Sequence, residues 1–241
     1  MLQPYWRNEQ FDLTIYNADC LDVMRELQEA DEQFHLCLTD PPYNRDVTYA
    51  ARHDDKLSPE SYKLWSKVWF AKAQDLARTV VFSCGMQNIG MWDRIATPTW
   101  WLAWDTVNRL MKRTPLGYNR WEPVAVYGTA PTKIPDIFHA PIISEDNPSG
   151  HPCPKPVAWA QWLVSRFTKP GWRVLDPFMG TGPVLRACLA QGRSCVGIDA
   201  SEAYCEDTAR RIEKDLEQLH LFLGEVNEAR QEAMMLGEVI D

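Results

Sequence analysis

The sequence predicts an α/β protein built on a doubly wound, mostly parallel sheet with helices on both faces. Three observations carry that prediction. Short apolar, β-branched runs alternate with segments of helical period along most of the chain. One such run, Phe34 to Leu38, stops against Asp40-Pro41-Pro42-Tyr43, because two prolines without N–H groups end any ladder. Another, Trp172 to Leu175, enters the turn Asp176-Pro177-Phe178-Met179-Gly180-Thr181-Gly182-Pro183, which a helix, a strand and an acid, Asp199, then follow.

Each element has its own local reason. Asp12 to Asn17 alternates like a strand. Leu21, Met24, Leu27 and Ala30 then recur at helical spacing, which gives a helix of about ten residues. Asp19 lies at the turn between them, where it can cap the helix or touch a ligand. Asn44 to Leu57 is a polar loop beside the Pro-Pro stop, and loops of that length near a site are commonly lids or binding loops. Ser58-Pro59-Glu60 starts a helix that runs to about Ala77. Thr79 to Cys84 is a buried strand, and Gly85 to Thr97 holds a short helix. Trp100 to Trp104 and Trp121 to Tyr127 form a hairpin with a long basic tip, and their tryptophans read as core. Gly128 to Gly150 is Pro-rich and without regular pattern. His151 to Pro156 is stiff and extended and feeds a helix over Val157 to Phe167, with Pro156 near its first position. After the Asp176 turn, Val184, Leu185, Cys188 and Leu189 mark a helix that Gly192 ends. Ser194 to Ile198 is the next strand. A last amphipathic helix begins near Ser201, packed in its first half and loose at its end.

Composition narrows the class. The length of 241 residues suits one α/β domain. No apolar run approaches the roughly 20 residues that span a bilayer, so no membrane partner is expected. The N-terminus has no secretory h-region. Seven cysteines without a Cys-x-x-Cys pair read as reduced core thiols of a cytoplasmic protein, and no zinc site is expected. The net charge is −8, but Glu202 to Asp241 holds eleven acids against four bases, so the other 201 residues sum to −1. Within them, Thr106 to Trp121 carries Arg109, Lys112, Arg113 and Arg120 with no acid. Together with Arg45 and Arg52 of the polar loop, that strip is compatible with a phosphate backbone.

Two stretches carry chemistry. At Asp40-Pro41-Pro42-Tyr43, a carboxylate and proline carbonyls can accept hydrogen bonds from a planar amino group, and Tyr43 can stack on a flat ring. That is a pocket for a nucleobase with an exocyclic NH2, at the sheet edge where α/β proteins bind ligands. At the second stretch, Gly180 and Gly182 let the backbone turn close to a ligand. Asp199, 17 residues after Gly182, can accept both hydroxyls of a ribose. The turn opens with Asp176, which repels a pyrophosphate and favours an ammonium. The nucleoside expected is therefore S-adenosylmethionine rather than a dinucleotide.

Taken together and in this order, Asp40-Pro41-Pro42-Tyr43 and Asp176-Pro177-Phe178-x-Gly180-x-Gly182 resemble the beta group of amino-directed DNA methyltransferases. The resemblance spans about residues 13 to 212 and implies the class I S-adenosylmethionine-dependent fold. It implies one methyltransferase domain over 1–241. The catalytic half is about 11–130, the DNA-contact segments are about 44–57, 106–120 and 128–150, and the cofactor half is about 151–220. Asp19 falls where the family has an acid near the cofactor adenine. His151-Pro152-x-x-Lys155-Pro156 is similar to the segment before the family's cofactor-side helix, with Lys155 expected at the methionine carboxylate or nearby backbone. The catalytic residues implied are Asp40, Pro41, Pro42 and Tyr43. The cofactor residues are Asp19, Lys155, Asp176, Pro177, Phe178, Gly180, Thr181, Gly182 and Asp199. Pro183 replaces the family's usual Thr, which a helix N1 position tolerates. The expected activity is methylation of adenine N6 in double-stranded DNA, as in restriction-modification, with a homodimer as a family expectation. The alternatives are cytosine N4, for which position 40 is more often Ser, and a non-catalytic nucleic-acid-binding protein with this fold.

Overall fold

The computed structural model describes residues 2–49, 55–107, 113–114, 117–141 and 149–236. In chain order the strands are β1 (Trp6–Asn8), β2 (Leu13–Asn17), β3 (Leu36–Thr39), β4 (Val80–Ser83), β5 (Trp100–Asp105), β6 (Arg113–Thr114), β7 (Gly117–Tyr118), β8 (Trp121–Tyr127), β9 (Ile137–His139), β10 (Arg173–Asp176) and β11 (Ser194–Asp199). The helices are α1 (Cys20–Glu29), α2 (Pro59–Leu76), α3 (Ile89–Ile95), α4 (Val157–Phe167), α5 (Pro183–Ala190) and α6 (Glu202–Leu236).

Among the described residues, nine strands form one sheet in the order β1-β2-β11-β10-β3-β4-β8-β5-β9. The five from β2 to β4 are parallel. β8 runs antiparallel between β4 and β5, and β1 runs antiparallel to β2 on one edge. The alternation of side chains divides the core between the two faces. Leu36 and Leu38 of β3 and Val81 of β4 join the apolar residues of α4, α5 and α6 on one face. Cys37, Val80 and Phe82 join α1, α2 and α3 on the other. The sheet is doubly wound, as the sequence predicts.

The helix starts follow their local chemistry. Ser58 caps α2 by accepting from Ser61 N at 3.1 Å, with Pro59 in the first position. Pro156 stands one place earlier than expected, at the N-cap of α4. Of the hairpin tryptophans expected in the core, only Trp104 is buried; Trp101 is half-buried, and Trp100 and Trp121 are exposed at 57% and 37%, because strand alternation and the sheet's outer position turn them to the surface. All seven cysteines are free, six of them buried. Among the described residues no helix is long and apolar enough to cross a membrane.

Four expectations are revised. β3 begins at Leu36, and Phe34 makes only an isolated bridge to Ala77. The stretch from Gly128 to Gly150 contains β9, which pairs in parallel with β5. Its three residues are too few to show a period, and of them only Phe138 is buried. β1 extends the sheet at the N-terminus, where no strand was read. α6 continues as one helix to Leu236, with Leu216 still buried and Leu221 and Phe222 exposed.

Candidate active site

The chain leaves β10 through α5 to β11 on one side and leaves β3 through α2 to β4 on the other. Between β10 and β3 the winding reverses, and in such sheets ligands bind in the crevice beyond the carboxyl ends of the strands. Here those ends carry Asp176 and Thr39-Asp40. The register that sets Val174 beside Leu36 brings them together, and Thr39 Oγ1 donates to Asp176 Oδ1 at 2.6 Å. A cleft of about 820 Å³, counting its open mouth, lies above them. Its wall includes Asp40, Pro42, Lys155, Asp176, Pro177, Phe178, Gly180, Thr181 and Asp199. Residues of both motifs therefore open on one cavity.

The Gly-rich turn is built for close approach. Gly182 has φ of +74°, and a Cβ there would sit 2.3 Å from Thr208 Cγ2 of α6. Thr208 Oγ1 in turn donates to Gly180 O at 3.0 Å. Asp199 accepts from Gly180 N at 3.0 Å and from Ser201 N at 2.8 Å, which fixes its carboxylate at the end of β11. Asp176 accepts from Thr39 and from Phe178 N through the same oxygen, Oδ1, and its Oδ2 has no partner among the described residues. Burial pushes the Asp176 carboxyl up to about 7. Phe178 packs with ring centroids 5.5 Å from Trp65 and 5.4 Å from Trp69.

The sequence reading missed an aromatic group over this turn. His151 stands with its ring centroid 4.7 Å from Tyr204 and 5.7 Å from Tyr49, and all three line the cleft. Burial, reinforced by Lys155 and opposed by Asp207, lowers the His151 imidazole to about 4, so it is neutral at pH 7. No local pattern joins residues so far apart in the chain.

Across the cleft, side chains from three regions meet. Lys155 Nζ lies 2.8 Å from Asp40 Oδ2, 2.9 Å from Glu122 Oε1 and 3.1 Å from the Tyr43 hydroxyl. The Tyr43 hydroxyl also contacts Asp40 Oδ1 and Glu122 Oε1. Burial raises the Asp40 carboxyl, Glu122 adds to the rise, and Lys155 opposes it. Burial alone would lower the Lys155 ammonium, but Asp40 and Glu122 outweigh it and hold it charged. Lys155, expected at the methionine carboxylate or nearby backbone, has its ammonium paired with Asp40 and Glu122 in this structure. Glu122 lies on β8, the stretch Trp121 to Tyr127 that resembles the family's late catalytic-region strand, but the resemblance implies no individual role for it.

The backbone after Asp40 is held firmly. Tyr62 Oη donates to Pro42 O at 2.9 Å, and Asn88 Nδ2 donates to Tyr43 O at 3.0 Å. No donor faces the Pro41 carbonyl among the described residues. The buried Asp55 accepts from Asn44 N at 2.7 Å, Arg45 N at 2.9 Å and Val47 N at 3.0 Å, closing the polar loop on itself. No local pattern in the loop marks Asp55 for that role.

The remaining expected contacts are dispersed. Asp19 caps α1 by accepting from Leu21 N at 2.8 Å, and its neighbour Cys20 lines the cleft. Arg45 is exposed, with Nη1 3.1 Å from Gln87 Oε1. Arg120 forms a two-point pair with Asp105, at 2.8 and 2.9 Å, and His139 Nδ1 lies 2.9 Å from the same carboxylate. The Arg120 contact holds the Asp105 carboxyl down at about 2. Arg113 lies on β6 with its side chain outside the described part. Arg52, Arg109 and Lys112 fall outside the described residues.

Known proteins share this chain's fold and part of its sequence. The sequence model of a family described as DNA methylase matches residues 101–210. The type II methyltransferase M.HpaI of Haemophilus parainfluenzae is 24% identical over 239 residues, covering 81% of this chain and 74% of its own. Among solved structures, the M1.HpyAVI–SAM complex superposes with a TM-score of 0.62 at 20% identity, covering 82% of this chain and 98% of its own. The cytosine-N4-specific PvuII DNA methyltransferase superposes with a TM-score of 0.67 at 15% identity, covering 90% and 93%. With both motifs in the beta-group order and opening on one cleft, the chain is similar to the amino-directed (N6/N4) DNA methylases in sequence and shares their fold.

Proposed function

We propose that this protein transfers a methyl group from S-adenosylmethionine to the exocyclic N6 of an adenine flipped out of double-stranded DNA. One observation carries the reading. The Asp40 carboxylate lines the same cleft as Asp176, to which its chain neighbour Thr39 is hydrogen-bonded. Acceptors for an amino group and acceptors for a charged nucleoside thus share a cleft.

The residues present fit S-adenosylmethionine. Asp176 offers Oδ2 to an ammonium, Asp199 stands at the strand end suited to a ribose, and Gly180 and Gly182 leave the turn bare. When bound, the cofactor supplies an electrophilic methyl group on a sulfonium. The chain's part is to present the base. A stacked adenine cannot reach the cleft, and extruding it costs a few kcal/mol. Stacking on the Tyr43 ring offsets about 1–3 kcal/mol of that cost. Asp40 and the Pro41 carbonyl accept the two amino hydrogens, which pulls the nitrogen out of conjugation and makes its lone pair available. Positioning, together with the carboxylate beside the developing positive charge, supplies most of the catalysis. Asp40 then takes the proton that the methylated nitrogen releases.

The amino group of cytosine presents the same two hydrogens, and the cytosine-N4-specific PvuII enzyme shares the fold. The acid at position 40 supports adenine. The deciding experiment incubates the protein and labelled cofactor with duplex DNA, RNA and protein acceptors, then identifies the modified nucleoside. N6-methyladenine from duplex DNA is the expected product. N4-methylcytosine would move the assignment to the second reading, and no label in DNA would sink both.

A further inference from the structure

The scheme above leaves Glu122 without a task, although it is buried against the reacting groups. A phenolic hydroxyl donates one hydrogen bond. The Tyr43 hydroxyl nevertheless faces two carboxylates, Asp40 and Glu122, while Lys155 Nζ stands 3.1 Å from its oxygen. Lys155 meets Asp40 through Oδ2 at 2.8 Å. Tyr43 therefore covers Oδ1, the oxygen left for an incoming amino group. A base amine and the Tyr43 hydroxyl compete for one acceptor unless the hydroxyl has somewhere else to go.

We propose that Glu122 is a positioning residue for the methyl-transfer pocket: it takes the Tyr43 hydroxyl when the target amino group occupies Asp40 Oδ1, and so keeps the Tyr43 ring where the base stacks. The proposal rests on the base-methylation reading. Three features of the structure support it. Glu122 is fixed by its strand, paired with Trp104 of β5, and its side chain is 9% exposed, so its carboxylate cannot follow the base. Lys155 Nζ at 2.9 Å compensates its charge. The Tyr43 ring is also braced from behind, because a Cβ on Gly85 would come within 2.9 Å of Tyr43 Cδ2. With the ring edge set by Gly85 and the hydroxyl by Glu122, one face orientation is defined.

The test compares single-turnover methyl incorporation into mixed-sequence duplex DNA, with cofactor affinity and melting temperature as controls. The proteins are the wild type, Glu122→Leu, Glu122→Gln, Tyr43→Phe and the Tyr43→Phe/Glu122→Leu double variant. Loss of a hydrogen bond to a charged acceptor predicts a slowing of about tenfold or more for Glu122→Leu. Glu122→Gln keeps a carbonyl acceptor and should stay within about threefold of wild type. In the Tyr43→Phe background, Glu122→Leu should cost no more than about twofold further. Equal slowing by Glu122→Leu in both backgrounds, or a Glu122→Gln variant as slow as Glu122→Leu, would overturn the proposal and leave Glu122 as a charge partner of Lys155. A wild-type protein that methylates no DNA would instead remove the reading on which the proposal stands.

Discussion

Thr39 Oγ1 donates to Asp176 Oδ1 at 2.6 Å, joining the last residue of β3 to the last residue of β10 across the point where the sheet reverses its winding. The two residues lie 137 positions apart in sequence. Through this contact the base-side motif and the cofactor-side motif are held as one rigid unit.

Separate roles for the two motifs predict separable losses. Asp40→Ala should lower the methylation rate by at least about 10³-fold, since it removes both an amine acceptor and the proton acceptor. The cofactor dissociation constant should change by less than about threefold, because Asp40 lies across the cleft from the Gly-rich turn. Isothermal titration and a methyl-incorporation assay on the same sample check both halves. Near-normal turnover would remove Asp40 from the chemistry.

Asp176 gives the cofactor-free protein a pH dependence of known sign. Its folded pKa of about 7 stands above the ordinary 3.8, so the folded protein holds this proton more tightly than the unfolded chain does. Stability from this group is fullest below about pH 4 and is lost as the pH rises toward about 7, by up to about 4 kcal/mol. The Asp176→Asn protein should lack that decline. Denaturant midpoints of the two proteins from pH 4 to 8 measure it, and parallel curves would contradict the assignment.

Gly182 should not tolerate a side chain. Alanine there adopts a left-handed φ and meets Thr208 Cγ2 at 2.3 Å, a combination expected to cost about 2–4 kcal/mol. Adding Thr208→Ser removes the methyl, keeps the hydroxyl that bonds Gly180 O, and should recover part of the loss. Thermal unfolding of the single and double variants reports the outcome; no recovery would place the cost in the backbone alone.

Asp55→Ala should loosen the loop that follows Tyr43. Three backbone N–H groups lose their acceptor, at a cost of about 1–3 kcal/mol. Amide exchange at residues 44–47 should accelerate while α5 and β11 stay protected, and turnover should fall through poorer placement of Tyr43. Unchanged exchange at Asn44, Arg45 and Val47 would show that Asp55 does not hold the loop.

The sequence by itself determined the strands of the parallel core, most of the helix starts and the places where the two motif-bearing strands stop, but not the short edge strands β1 and β9. Two prolines end β3 at Asp40, and the acid and glycines after β10 mark the cofactor turn, because φ restriction and missing N–H groups are properties of single residues. From those stops alone both motifs fall on the edge of the sheet where ligands bind. Tertiary structure decided which side chains share that edge. Lys155 and Glu122 reach Asp40 and Tyr43 only because β8 lies antiparallel beside β4, and because the segment before α4 crosses the cleft. Arg120 is paired because β5 and β8 align it with Asp105, and Asp19 is a helix cap because its carboxylate finds Leu21 N first. The register of strands distant in sequence is set by packing the two faces of the sheet, and the local periodicity of a chain carries no record of which strands become neighbours.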